Sequence, residues 1–514
     1  MDKVIEINNV VNSFVWTDVG LYLLLAVGVV MTCVTGFFQV THLAHWWKTT
    51  IGSVFKKDSS SNAKTDKKSI SQFQALCTAL AATVGTGNIA GVSAAICIGG
   101  PGAVLWMWIA AFLGMMTNFS ENVLGIYFRR KNADGEWSGG AMYYLKDGMG
   151  KIKGLKHVAS VLAVLFAFFA ILASFGIGNM GQVNKIVLNL NSSFFSNVKA
   201  EIFGFPAVNL IIGIALVILG GLIILGGLQR IASFAEFVIP FMAIAYVVFG
   251  LVIIGINYEN IIPAFKSIFK FAFGVEAVAG GAAGIAIKKV ITQGFKRGVF
   301  SNEAGLGSSV MVHSSSNVKE PVKQGMWGIF EVFFDTMVIC TITALIALTS
   351  GFINLETGHV LEGVNDATLI NKAFGNVFGV FGEGFIAIAM LFFAFTTVLG
   401  WSQYGTKAVE YLFGVKVAKV YKVIFVLMIV SGALMESSVA WDISDTFNGL
   451  MMIPNLIAVV ILSPLVFKIT KNYLSRKLKG KDVAPMYSFD EEIQKLAEQS
   501  PSEDIIVLEE KSDK

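Results

Sequence analysis

The sequence predicts an all-α polytopic membrane protein of eleven transmembrane helices, the last ten forming a five-plus-five inverted repeat preceded by one extra N-terminal helix. Three observations carry this. Of 514 residues, 55% are apolar and 14% charged, with a mean hydropathy of +0.68, whereas soluble chains carry about 25% charged residues. The Lys and Arg residues divide by membrane side, 33 against six, when placed on alternating loops. Finally, the first span of each five-helix group holds a glycine-rich interruption.

The net charge of +4 is too near balance, and its basic residues too dispersed, for nucleic-acid binding. Cys33, Cys77, Cys97 and Cys340 lie in apolar stretches without a C-x-x-C pair, which excludes a disulfide framework or a zinc site. A spanning helix needs about 20 apolar residues, so no large soluble domain fits beside the spans.

Residues 1–47 are read as an extracytoplasmic N-terminus and the extra helix, 18–43, which is too long for a secretory signal core. A polar loop, 48–71, follows on the cytoplasmic side, with Ser59 to Lys68 as linker and basic anchor. The first repeat, 72–256, holds spans at 72–98, 102–128, 155–188, 207–228 and 233–256. The second repeat, 271–470, holds spans at 271–288, 325–350, 383–412, 422–436 and 447–468. Basic loops on one side and the acid-rich 354–366 and 435–445 stretches on the other place the N-terminus outside and the C-terminus in the cytoplasm of a cell membrane. The acidic tail, 482–514, with ten carboxylates, reads as disordered apart from a short helix near Asp490–Gln499.

Five spans is an odd number, so the second group starts from the opposite membrane face. In secondary transporters that geometry puts the substrate at the midplane, between first helices interrupted by unwound backbone. The interruptions expected here are Gly85-Thr-Gly87-Asn88 and Gly280-Gly281. Glycine lowers the cost of unwinding. Freed N–H groups can face a carboxylate and freed carbonyls a cation, provided the backbone lines a cavity. Glu121 and Asp335, deep in the second span of each group, form a weaker echo; ion coupling and ordinary partner hydrogen bonds both explain them.

Thr83-Val-Gly85-Thr-Gly87-Asn88-Ile-Ala-Gly91, Ser138-Gly-Gly-Ala-Met-Tyr-Tyr144 and Gly298-Val-Phe-Ser-Asn-Glu-Ala-Gly-Leu-Gly307 resemble the alanine or glycine:cation symporter family, over about residues 15 to 475. That family is similar in turn to the leucine-transporter-like fold. The resemblance implies no enzyme but symport of a small neutral amino acid, alanine or glycine, with sodium as coupling ion and no organic cofactor. It implies that the N–H groups of Thr86, Gly87 and Asn88 bind the substrate carboxylate. The carbonyls of Ala81 and Val84 and the hydroxyls of Thr396 and Thr397 would hold sodium, a hard cation suited to oxygen ligands.

Both threonines could instead bond back to their own turn. Gln182 could contact the substrate or serve as an interhelical amide. Trp401 could wall the pocket or sit at the membrane interface. Gly280 and Gly281 would line the cavity from the second half. Proton coupling, or a larger neutral substrate such as glutamine or serine, is the alternative. A channel is more remote, since two unlike inverted halves favour alternating access over a symmetric pore.

Gly305-Leu-Gly307-Ser-Ser309 lacks the Lys of a P-loop. Sidedness places Ser301–Ser316 in the cytoplasm beyond the seventh span, as a gating or structural loop, with His313 a loop residue. Asn302-Glu-Ala-Gly305 echoes Asn88-Ile-Ala-Gly91, but the two occupy different depths on this map.

Overall fold

In the computed structural model, residues 2–55, 68–195, 197–273, 283–435, 438–502 and 504–506 are described. Among them, nine helices are long and apolar enough to cross a membrane, and one bent pair makes ten. They are α1 (Ile5–Val34), the pair α2 (Gln72–Thr83) and α3 (Gly87–Gly99), α4 (Ala103–Tyr127), α5 (Lys156–Phe195), α6 (Ala207–Ile224) and α7 (Leu228–Ile256). After α8 (Ala283–Asn302) and the short α9 (Val310–His313), the others are α10 (Pro321–Thr349), α11 (Val380–Phe413), α12 (Val415–Leu434) and α13 (Ile443–Ile461). Two non-spanning helices, α14 (Ser463–Lys477) and α15 (Glu491–Gln499), follow.

Local chemistry accounts for the starts. Ser71 and Gln74 form a reciprocal capping box at α2, with Ser71 Oγ accepting from the Gln74 amide at 3.1 Å and Gln74 Oε1 from the Ser71 amide at 3.2 Å. Pro321, at the first turn of α10, needs no intrahelical N–H partner. On the outer wall, Ile211, Ile214, Ile218 and Leu222 of α6 remain exposed at helical spacing, a stripe for lipid. The interior is formed by α4 against α8 and α10, α5 against α11 and α13, and α2 against α7 and α11.

Three sequence expectations change. The extra helix lies at Ile5–Val34 rather than 18–43, because Gly36 and Phe37 turn left-handed (φ 67° and 55°) and stop it. Half of the seventh span, expected at 271–288, falls on 274–282, outside the described residues, and the helix that follows runs on to Asn302. Hydropathy truncated it because Lys288, Lys289, Lys296 and Arg297 interrupt the apolar run. Lys296 nevertheless reaches Asp445 at 2.7 Å, and Lys288 lies 3.6 Å from Asp18. Both lysines thus join the acidic end of the bundle, not the basic end where the loop count placed them. Third, the tail expected to be disordered from Asp482 packs in defined contacts as far as Ser502 and again at Asp504–Ile506.

Candidate functional site

The first break begins at Val84, whose extended backbone (φ −76°, ψ 90°) ends α2, and α3 resumes at an angle of 53°. Asn88 caps the gap from both directions. Its Oδ1 accepts from the Gly85 amide at 2.9 Å, and its own amide donates to the Gly85 carbonyl at 3.3 Å. Glycine is required by proximity here. A Cβ on Gly85 would strike Thr397 Oγ1, and one on Gly87 would stand 3.1 Å from the Phe300 ring.

That last contact reveals a second break at the same depth. α8 ends at Asn302, and Glu303, Gly305 and Gly307 take positive φ (56°, 92° and 73°) before α9. A left-handed non-glycine residue such as Glu303 costs on the order of 1 to 3 kcal/mol and persists only where its surroundings impose it. Here Asn302 Oδ1 accepts from the Ala304 amide at 3.0 Å, Asn302 Nδ2 donates to Thr336 Oγ1 at 3.0 Å, and Glu303 accepts from Ser308 Oγ at 2.6 Å. Residues Ser301–Ser316 are therefore buried in the protein interior, not an exposed loop. His313 is fully enclosed, hydrogen-bonded to Glu331 at 3.0 Å and to Gln324 at 2.6 Å. The echo between Asn88-Ile-Ala-Gly91 and Asn302-Glu-Ala-Gly305 reflects two breaks facing each other.

A cavity lies between them, lined by Thr86, Gly87, Gln182, Thr397 and Trp401 among the expected residues. Ala82, Thr83 and Gly85 at the first break also line it, as do Ile177, Phe300, Glu303 and Asn448, which were not singled out from sequence. Three oxygens on this lining are buried without a partner among the described residues: Thr86 Oγ1, Gln182 Oε1 and Asn448 Oδ1. Orphaned polar atoms are expensive unless something else bonds them, so they mark a surface built for a polar guest. Gln182 Nε2 is held by the Ile177 carbonyl at 3.2 Å, which directs Oε1 away from its own turn. Trp401 is 3% exposed and packs on Tyr404 and Gly178, so the interfacial reading does not hold.

The remaining expected residues lie at or beyond the edge. Ala81, Val84 and Thr396 flank the break without lining the cavity. Thr396 and Thr397 both donate to carbonyls of their own helix at 2.9 Å. Such a bond uses the hydroxyl proton and leaves oxygen lone pairs to accept a cation. Asn88 also lies behind the cavity, its Nδ2 donating to Asp335 Oδ1 at 2.7 Å. Gly280 and Gly281 are outside the described residues.

The two intramembrane acids complete a crossed arrangement. Asp335, on the second span of the later half, holds the first break through Asn88 and also accepts from Ser301 Oγ at 2.7 Å. Glu121, on the second span of the earlier half, accepts from Asn455 Nδ2, which also donates to the Gly305 carbonyl of the second break at 2.9 Å.

The model of the sodium:alanine symporter family matches residues 1–487. The chain belongs to this family. It is therefore a multi-pass membrane transporter, a cation-coupled amino-acid symporter and not an enzyme. Its relatives include the sodium/alanine symporter AgcS of Methanococcus maripaludis, 42% identical over 91% of this chain and 97% of that protein. The probable sodium/glutamine symporter GlnT of Bacillus subtilis is 36% identical over 94% of this chain and 93% of its own length. The putative sodium/proton-dependent alanine carrier protein YrbD, also of Bacillus subtilis, is 36% identical over 92% of this chain and 93% of its length. Among solved structures, MhsT in complex with L-phenylalanine matches with a TM-score of 0.53 at 14% identity, over 79% of this chain and 99% of that one. The family symporter therefore has the leucine-transporter-like fold expected of it.

Proposed function

We propose that this symporter carries a small neutral amino acid, alanine or glycine, together with sodium by alternating access. The observation that carries the reading is the cavity between the two breaks, with the unpartnered oxygens of Thr86, Gln182 and Asn448 facing a space walled by Ile177, Phe300 and Trp401. The oxygens suit the ammonium group of an amino acid. Backbone amides at Thr86 and Gly87, where α3 begins, suit its carboxylate, and the apolar walls favour a short side chain. Asn88 contributes by shaping the break, its side chain engaged with Gly85 and Asp335 rather than with the guest.

Sodium would sit where the end of α2 meets α11, among the carbonyls of Ala81 and Val84 and the hydroxyls of Thr396 and Thr397. Thr397 is the strongest of these, because its Oγ1 lies against Gly85. Neutral oxygens give the weak, reversible binding that a coupling ion needs. The repeats 72–256 and 271–470 would move against each other, with the extra helix outside them, the N-terminus outside the cell membrane and the tail in the cytoplasm.

Inward sodium gradients should drive alanine uptake into proteoliposomes, and equal uptake with potassium in place of sodium at constant pH would refute sodium coupling. A proton-coupled reading draws support from Glu303, a carboxyl on the cavity wall. In that case an inward pH gradient without sodium should suffice.

A further inference from the structure

We propose that the C-terminal segment, residues 484–502 and 504–506, is a strap that holds the cytoplasmic gate closed and must release for the site to open inward. The inference rests on the alternating-access reading above and on the orientation given there.

The strap binds the two places the gate must move. Residues Ser314–Glu320 link α9, the inner end of the second broken helix, to α10. On one side this link pairs with the start of the first broken helix: Ile70 bridges Ser316 in parallel, and the Asn317 amide donates to the Ile70 carbonyl at 3.0 Å. On its other side it pairs with the tail. Ile505 bridges Val318 in antiparallel fashion, the Ile506 amide donates to the Asn317 carbonyl at 3.1 Å, and the Lys319 amide donates to the Asp504 carbonyl at 2.8 Å. Asn317 is thus bonded by its N–H to the segment leading into the first broken helix and by its carbonyl to the tail, a three-strand junction closed by the tail.

Side chains reinforce the junction. Lys319 Nζ donates to the carbonyls of Ser500 and Ser502 at 3.2 and 3.0 Å, and Lys323 pairs with Asp504. Buried Arg129 donates to the carbonyls of Ser314, Ser316 and Val318 from beneath. Farther along, Phe489 bonds the Tyr127 carbonyl through its amide at 2.9 Å and packs on Phe128, 5.1 Å between ring centres. Asp490 caps α15 by accepting from the amides of Glu492 and Ile493. Ala497 and Ile506 enclose Trp137, which the guanidinium of Arg129 covers at 4.0 Å. The family match ends at residue 487, before α15 and the Ile505–Val318 pairing. The core can therefore transport by the family's means while this tail sets how often its inner gate opens, an order-to-disorder switch acting on a two-state equilibrium.

Two measurements test the strap. Thr83→Cys places a thiol on the cavity wall at the end of α2. In inside-out vesicles, a membrane-impermeant maleimide should label it about tenfold faster in the chain ending at Lys481 than in the full chain, as expected for a shifted open population. Full-length Ile505→Asp, which keeps the tail, should give the same direction. Equal labelling rates in the inserted variants overturn the proposal, and this readout needs no transport substrate, so failure of alanine uptake would not affect it. Conversely, a disulfide formed by Val318→Cys with Ile505→Cys, directly opposed across the bridge, should stop uptake until reductant is added. A fully oxidised pair that transports at the reduced rate also overturns it.

Discussion

The side-chain amide of Asn88 donates to Asp335 Oδ1 at 2.7 Å while its Oδ1 caps the Gly85 amide, so one residue joins the first helix break to an acid of the opposite repeat. Glu121 reaches the other break through Asn455 and the Gly305 carbonyl. Each break is held by the second span of the half to which it does not belong. A change at either acid should therefore affect the paired movement of the breaks more than the fold of its own helix.

Asp335→Ala should reduce uptake by about tenfold or more, since loss of the carboxylate leaves the buried donors on Asn88 and Ser301 only the longer contacts to the residue 335 carbonyl and Cys340 Sγ. Asp335→Asn keeps the shape and one acceptor and should retain part of the activity. Uptake assays normalised to inserted protein check this; equal loss in both variants would point to the charge rather than the brace.

Gly87→Leu should abolish transport while the protein still inserts. Its Cβ would meet Phe300 at 3.1 Å and the Ser301 Cα at 3.3 Å, and the rest of leucine has no room between the breaks. Normal uptake by this variant would remove the opposed breaks from the transport site.

Thr397→Val should raise the sodium concentration needed for half-maximal uptake by about tenfold, whereas Thr396→Val should change it less. Both hydroxyls are tied to their own helix, but only that of Thr397 borders the cavity and Gly85. Alanine affinity at saturating sodium should stay near the parent value. If affinity falls while sodium dependence is intact, Thr397 contacts the substrate instead.

The spans and the first break were legible because apolar length and a Gly-Thr-Gly-Asn run act locally. The second break was written in the sequence, in Asn302-Glu-Ala-Gly305, but masked by four basic residues on α8 that ended the hydropathy run too early. Glu303 and Asn448 depend on long-range packing, and nothing in their own neighbourhood distinguishes a cavity-facing polar residue from one facing another helix. The tail was misread because composition reports charge, not the partners available to it. Lys319, Lys323 and Trp137 lie far away in sequence and make an acidic segment a good fit.

The misplaced lysines yield a test of their own. Lys296 pairs with Asp445 at 2.7 Å, with side chains 17% and 7% exposed, and Asn12 joins the pair from α1 by donating to Asp445 at 3.2 Å. Removing one partner of an enclosed ion pair leaves a buried charge and costs about 3 kcal/mol, whereas replacing both with apolar groups of similar size is often close to neutral. Asp445→Ala should therefore lower the thermal midpoint of the purified protein, and Lys296→Met should restore most of it in the double variant. Such recovery is a coupling that two independent surface sites would not show. If instead the single variants melt like the parent and the double variant adds nothing, Lys296 lies in solvent at the basic end, and α8 ends where hydropathy placed it. The second break would then lose its position opposite the first.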